Sequence, residues 1–189
     1  LLNRHTVTDH RIFRNEGAHG AVTEPILIVT TGGTIDKVYF DAKSEFEVGE
    51  SVVGRLLEQA HVRQPYEVLP LMRKDSLDMT ERDRQAVRTA IAGRPEARVV
   101  VTHGTDTMTD TAAALTGLGG RTIVLTGALA PARFAESDAT FNVGMAFAAV
   151  QALAEGVYIC MNGQVFRASD VRKDRARNAF VPRTDRPHG

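Results

Sequence analysis

A chain of 189 residues is long enough for one core-bearing domain and too short for two ordinary ones. Its 43% hydrophobic and 24% charged residues are the balance of a soluble globular protein. Lysine plus arginine equals aspartate plus glutamate at 23 each, which removes the electrostatic case for a nucleic-acid or anionic-membrane partner and leaves a small molecule as the expected one.

Leu1 to Glu24 carries three of the six histidines but little apolar periodicity, and reads as a flexible N-terminal extension. His5, His10 and His19 lack a recognised ligand spacing, so no metal is expected there. The extension has no hydrophobic block of the secretory kind, and no apolar run in the chain approaches a membrane span. The lone Cys160, inside the apolar run Val157 to Met161, reads as an inert buried thiol. Together these features point to a reducing cytoplasm. Pro25 opens a single domain, 25–189.

Ile26 to Ile35 reads Ile-Leu-Ile-Val-Thr-Thr-Gly-Gly-Thr-Ile, an apolar run suited to a strand buried on both faces. Gly32 and Gly33 allow a sharp turn, and Thr34 follows at the carboxyl end of the strand, where open α/β sheets place their ligands. Taken alone, such a segment is more often only an ordinary turn. Asp36 to Gly49 is charged and aromatic without a helical or alternating pattern and reads as a long loop, a lid that carries Tyr39 over Thr34.

Val52, Val53, Leu56, Leu57 and Ala60 predict an amphipathic helix ending near His61. Tyr66 to Leu71 predicts a strand, with a charged loop over Met72 to Met79. Thr80 with Asp83 three residues on predicts an N-cap and a helix to about Ala92. Arg98 to Thr102 is the next strand, followed by a helix from about Thr109 to Leu118 that Gly119-Gly120 stops. Thr122 to Thr126 gives a further strand and Gly127 to Ala139 a loop. Val143, Phe147, Val150 and Ala154 then line a helix ending at Gly156. Val157 to Met161 is a strand joined by Asn162-Gly163, a hairpin turn pair, to Gln164 to Phe166. From Arg167 onward the chain is basic and reads as a solvated tail, or as a segment that docks on a partner subunit and brings Lys173 into place. Alternating strands and helices predict an α/β fold with a parallel sheet covered on both faces and a hairpin near the C-terminus.

A second candidate site, Thr102-His-Gly-Thr-Asp-Thr107, also lies at a strand end and sets Thr105 beside Asp106. A threonine hydroxyl is a weak nucleophile and needs a base. His103 would point to the opposite face of an extended backbone, which leaves Lys173 as the better candidate if burial and nearby cations lower its pKa.

Thr-Thr-Gly-Gly-Thr-Ile at 30–35 and Thr-His-Gly-Thr-Asp-Thr-Met at 102–108 resemble the two signature segments of the bacterial-type L-asparaginases. Weaker matches continue in order at Asp75-Ser-Leu-Asp-Met79, Thr126 to Pro131, Phe141-Asn142 and Ser169 to Lys173, over roughly Ile26 to Val181. The resemblance implies a flavodoxin-like (Rossmann-like) sheet and an amidohydrolase that converts L-asparagine to L-aspartate and ammonia through an acyl-enzyme. It implies no cofactor, and a homodimer or homotetramer. By position, Thr34 matches the nucleophile and Tyr39 the lid tyrosine. Thr105, Lys173 and Asp106 match a Thr-Lys-Asp triad, and Ser76 and Asp106 match the groups that hold the substrate's α-carboxylate and α-ammonium. Backbone amides at Gly33 and Gly104 are candidate oxyanion donors. Leu77 stands where many members carry a substrate-contacting glutamine, and the chain resembles a short form without the usual C-terminal domain. Two other readings stay open: a non-catalytic amino-acid-binding module, and an amidase subunit of a larger amidotransferase assembly.

Overall fold

The computed structural model describes residues 24–40 and 45–183, so the predicted extension up to residue 23, with its three histidines, lies outside the described residues. The chain forms β1 (Ile26–Gly32), β2 (Lys37–Phe40), β3 (Glu45–Val48), α1 (Val53–Gln59), β4 (Tyr66–Lys74) and α2 (Glu81–Ala92). It continues through β5 (Arg98–Thr102), α3 (Met108–Leu115), β6 (Thr122–Thr126), α4 (Ala139–Ala152), β7 (Gly156–Met161) and β8 (Gln164–Arg167). A closing pair, β9 (Val171–Asp174) and β10 (Ala179–Pro182), forms a two-stranded sheet of its own.

The main sheet has the order β4-β1-β5-β6-β7-β8, parallel throughout except for β8. Its five parallel strands follow the flavodoxin-like order, with the first strand between the second and the third. Every residue of β1 is buried, because successive side chains feed two separate cores. Ile26 and Ile28 join Val100, Val124 and Cys160 under α1 and α4. Leu27 and Val29 join Val99, Val101, Ile123, Leu125 and Ile159 under α2 and α3. Each such side chain contributes on the order of 1.5–3 kcal/mol by leaving water, so a one-residue slip of β1 would exchange two cores at once.

Local signals set most of the element ends. Thr80 accepts from the Asp83 amide while the Asp83 carboxylate accepts from the Thr80 amide, a reciprocal box that starts α2. Asn162 and Gly163, at φ +48° and +84°, make the tight β7–β8 turn.

The structure departs from the sequence reading in five places. The supposed loop after Asp36 is the β2–β3 hairpin, with Tyr39 opposite Phe46 and Lys37 opposite Val48. Glu45-Phe46-Glu47-Val48 alternates strictly, a strand pattern hidden by the charge around it. β4 runs on to Lys74, and Ser76–Asp78 is a 3-10 turn, where a loop from Met72 was expected. α3 stops at Leu115 because the chain turns at Gly117, φ +82°, before the glycine pair is reached; α4 ends at Ala152, so Ala154 is not on its face. The basic segment after Arg167 is the β9–β10 hairpin, pinned to the second core by Val171 and Phe180.

Candidate active site

Three segments converge beyond the carboxyl ends of β1, β4 and β5, and glycine lets them touch. Gly33, at φ +87°, lies so close to Gly104 that a Cβ on it would stand 2.3 Å from the Gly104 nitrogen. A Cβ on Gly104 would in turn sit 2.6 Å from Cβ and Oγ of Ser76. The Thr107 hydroxyl donates to the Ser76 carbonyl at 2.7 Å, and the Thr31 hydroxyl to the Thr102 carbonyl at 2.9 Å. These bonds tie the loops after β1, β4 and β5 into one floor at the point where the strand order reverses, the usual ligand crevice of such sheets.

The floor fixes where the candidate side chains begin. Thr34 and Thr105 each follow one of the two abutting glycines, Thr34 half-buried and Thr105 buried, with the half-buried Asp106 next in line. Ser76 is buried at the opposite wall, held by the Asp75 cap whose carboxylate accepts from the Leu77 amide. A Lys37–Asp75 ion pair at 2.6 Å fastens the β2–β3 hairpin to this turn. The Gly33 N–H donates to the Lys74 carbonyl at 2.9 Å, so this candidate oxyanion donor is already committed. Leu77 projects into solvent.

The third distant segment arrives through the hairpin. From β9, the Lys173 amine donates to Thr105 Oγ1 at 3.2 Å, bridging 68 positions of sequence. It also donates to Asn178 Oδ1 at 2.8 Å and lies 5.0 Å from the centre of the Phe180 ring. Burial lowers the Lys173 pKa below its ordinary value, the Asp106 carboxylate opposes that shift, and the Arg175 charge adds to it. A lowered amine pKa is what a proton-accepting lysine requires.

His103 is fully buried and faces away from this cluster's chemistry. Its Nδ1 is 2.7 Å from the Gly104 carbonyl and its Nε2 2.7 Å from the Thr111 hydroxyl. The carbonyl can only accept, so Nδ1 carries the proton and Nε2 accepts from Thr111. Burial pushes the imidazole pKa down to about 4, which keeps it neutral. Tyr39 shares no hydrogen bond with Thr34 among the described residues. Its ring is 47% exposed and packs at 5.3 Å on Phe46, which meets Phe134 at 6.1 Å.

Asn178 and Phe180 escaped the sequence reading, since neither neighbours a motif; the short apolar run Ala179-Phe180-Val181 after an asparagine is the trace they leave. No group of three or more His, Cys, Asp or Glu side chains placed to hold a metal occurs among the described residues.

Fold and crevice together define a doubly wound α/β protein with two threonines and a partly buried amine at its switch point. Residues 25–185 match the family described as Asparaginase, N-terminal, and the chain belongs to that family. It is 29% identical over 167 residues to the probable periplasmic L-asparaginase of Haemophilus influenzae, covering 82% of this chain and 48% of that relative. The crystal structure of L-asparaginase I from Vibrio cholerae matches with a TM-score of 0.74 at 27% identity, over 85% of this chain and 52% of that one. A probable cytoplasmic L-asparaginase from Campylobacter jejuni matches with a TM-score of 0.68 at 27% identity, over 84% and 51%. The chain thus spans about half the length of the relatives it matches.

Proposed function

We propose that this chain forms the nucleophile-bearing crevice of an L-asparaginase, with Thr34 as the attacking hydroxyl. Thr34 Oγ adds to the side-chain amide carbon of asparagine, the amide nitrogen takes a proton, and ammonia leaves an aspartyl ester on the threonine. Water then cleaves that ester, releasing aspartate and restoring the hydroxyl. Lys173 in its neutral form accepts the proton through Thr105, and Asp106 pairs with the substrate ammonium. Ser76 takes the α-carboxylate, and of the two candidate oxyanion donors the Gly104 amide is the one this mechanism uses. Tyr39 reaches Thr34 in this scheme only if the β2–β3 hairpin closes over bound substrate.

The observation that carries the reading is the 3.2 Å approach of the Lys173 amine to Thr105, with that amine's pKa lowered by burial. Family relatives named as L-asparaginases support the substrate class. A homodimer or homotetramer and a cytoplasmic setting belong to the same proposal. The setting is supported by the similarity to the probable cytoplasmic L-asparaginase of Campylobacter jejuni. Among the described residues no helix is long and apolar enough to cross a membrane.

Ammonia release with asparagine and with glutamine tests reaction and selectivity together. Thr34→Ala is expected to lower it by ~10³-fold or more while leaving the melting midpoint in place. Near-normal turnover in that variant would overturn the assignment. Calorimetric binding of aspartate without ammonia would make the protein an amino-acid-binding module, and activity only with an added protein would make it a subunit of a larger amidase.

A further inference from the structure

We propose that Asn178 is a positioning residue that aims the Lys173 amine at the Thr105 hydroxyl through a neutral acceptor; the proposal rests on the asparaginase reading above. An ammonium has three N–H donors and no acceptor. Here one points to Thr105 Oγ1 at 3.2 Å and one to Asn178 Oδ1 at 2.8 Å, while the Phe180 ring lies 5.0 Å from the nitrogen. A flexible four-carbon stem is held by two bonds and a ring face, so its amine has one address.

The residue type at 178 answers two demands. Its backbone is left-handed, φ +47°, with its amide donating to the Arg175 carbonyl at 3.3 Å, and asparagine is among the few non-glycine residues at ease there. Its side chain supplies an uncharged oxygen where a carboxylate would trap the proton on the lysine. The charges around the amine are few. Asp106 faces it from the loop after β5, and Arg175 from its own hairpin. On α3, which packs against β9, Asp110 faces Arg84 at 3.8 Å. Asp174, beside Lys173, accepts from the Arg177 amide at 3.2 Å. No carboxylate hydrogen-bonds the amine among the described residues, and a neutral partner at 178 preserves that condition.

Two substitutions separate the backbone role from the side-chain role. Asn178→Gly keeps the positive φ and deletes the acceptor; Asn178→Asp keeps both and adds a charge. The chain has four lysines, Lys37, Lys43, Lys74 and Lys173, so ¹³Cε shifts of labelled lysine, assigned with Lys173→Arg, report the amine directly. In Asn178→Asp the Lys173 titration midpoint is expected to rise by about one pH unit or more, and the acidic limb of ammonia release to move up with it. In Asn178→Gly kcat is expected to fall by about 10-fold at unchanged KM, the cost of an amine no longer held in place. An unmoved midpoint in Asn178→Asp, or wild-type kcat in Asn178→Gly, would overturn the proposal. Absence of ammonia from the wild-type protein would instead overturn the asparaginase reading, and the shift of the lysine midpoint would still decide whether Asn178 governs the amine.

Discussion

The floor of the crevice and the hairpin that hangs beside it are held by opposite means. At the floor, Gly33 stacks backbone on backbone with Gly104 and Gly104 lies against the Ser76 side chain, in loops that continue β1, β5 and β4 of the main sheet, and the geometry depends on both glycines lacking a side chain. The β9–β10 hairpin pairs only with itself, and depends on side chains being present. Val171 and Phe180 are sunk in the core, and the Arg183 side chain donates to the Val171 carbonyl at 2.9 Å. The first arrangement tolerates no added atom, whereas the second can loosen by degrees. The proposed reaction, which asks for a fixed hydroxyl and an amine that takes and returns a proton, would draw on each.

The largest effect is expected where the floor is breached. In Gly33→Ala the new Cβ meets the Gly104 nitrogen at 2.3 Å and its Cα at 2.5 Å, and the backbone must hold φ +87° with a side chain attached. Both partners are main chain and cannot rotate aside. A loss of about 4 kcal/mol or more is expected, read as failure to fold or a collapse of the denaturation midpoint. A stable Gly33→Ala protein would mean that the floor is slack.

A smaller effect follows from pH. His103 donates to the Gly104 carbonyl from beneath the floor, and burial pushes its pKa from 6.5 down to about 4. The unfolded chain takes up this proton first, so the stabilisation is complete above pH 6.5 and is lost as pH falls towards about 4. At about 1.4 kcal/mol per pH unit, roughly 3 kcal/mol should disappear across that window. Urea denaturation at pH 7, 5.5 and 4 measures it. His103→Asn keeps a donor near Nδ1 without a titration, and its contribution in that window should be flat.

The two regions also differ in how far they could be read from the sequence. The floor was legible because its requirements are local and chemical: only glycine fits at 33 and 104, and a strand precedes each. The parallel sheet was legible for the same reason, from apolar runs between glycine and capping signals. The hairpins were not. In β2–β3 the surrounding charges hide the alternation. In β9–β10 the pinning residues Val171 and Phe180 lie nine positions apart in a stretch of seven basic side chains that reads as solvated tail. Nothing within those residues reports the core cluster that receives them. Lys173 was found through its motif, but Asn178 is made important by a distance, and distance is not written locally.

The comparison is sharpened by loosening the hairpin alone. Phe180 lies directly opposite Lys173 in the β9–β10 register and beneath its amine, with its own side chain in the core under α2 and α3. Phe180→Leu keeps an apolar side chain but removes three carbons, so a packing loss of about 1–2 kcal/mol is expected, with the loss of the cation–π contact adding about 0.5–1 kcal/mol locally. Local opening of about 1 kcal/mol is a roughly fivefold rise in amide exchange. That rise is expected at Arg172 to Asp174 and Phe180 to Val181, with β1 and β5 amides unchanged. Ammonia release should fall by a similar factor, since the amine loses part of its time at Thr105. If β1 and β5 exchanged faster in step with the hairpin, floor and hairpin would be one cooperative unit and the division between them would not hold. If the hairpin loosened and turnover did not change, the Lys173 amine would not need the address that Asn178 and Phe180 give it.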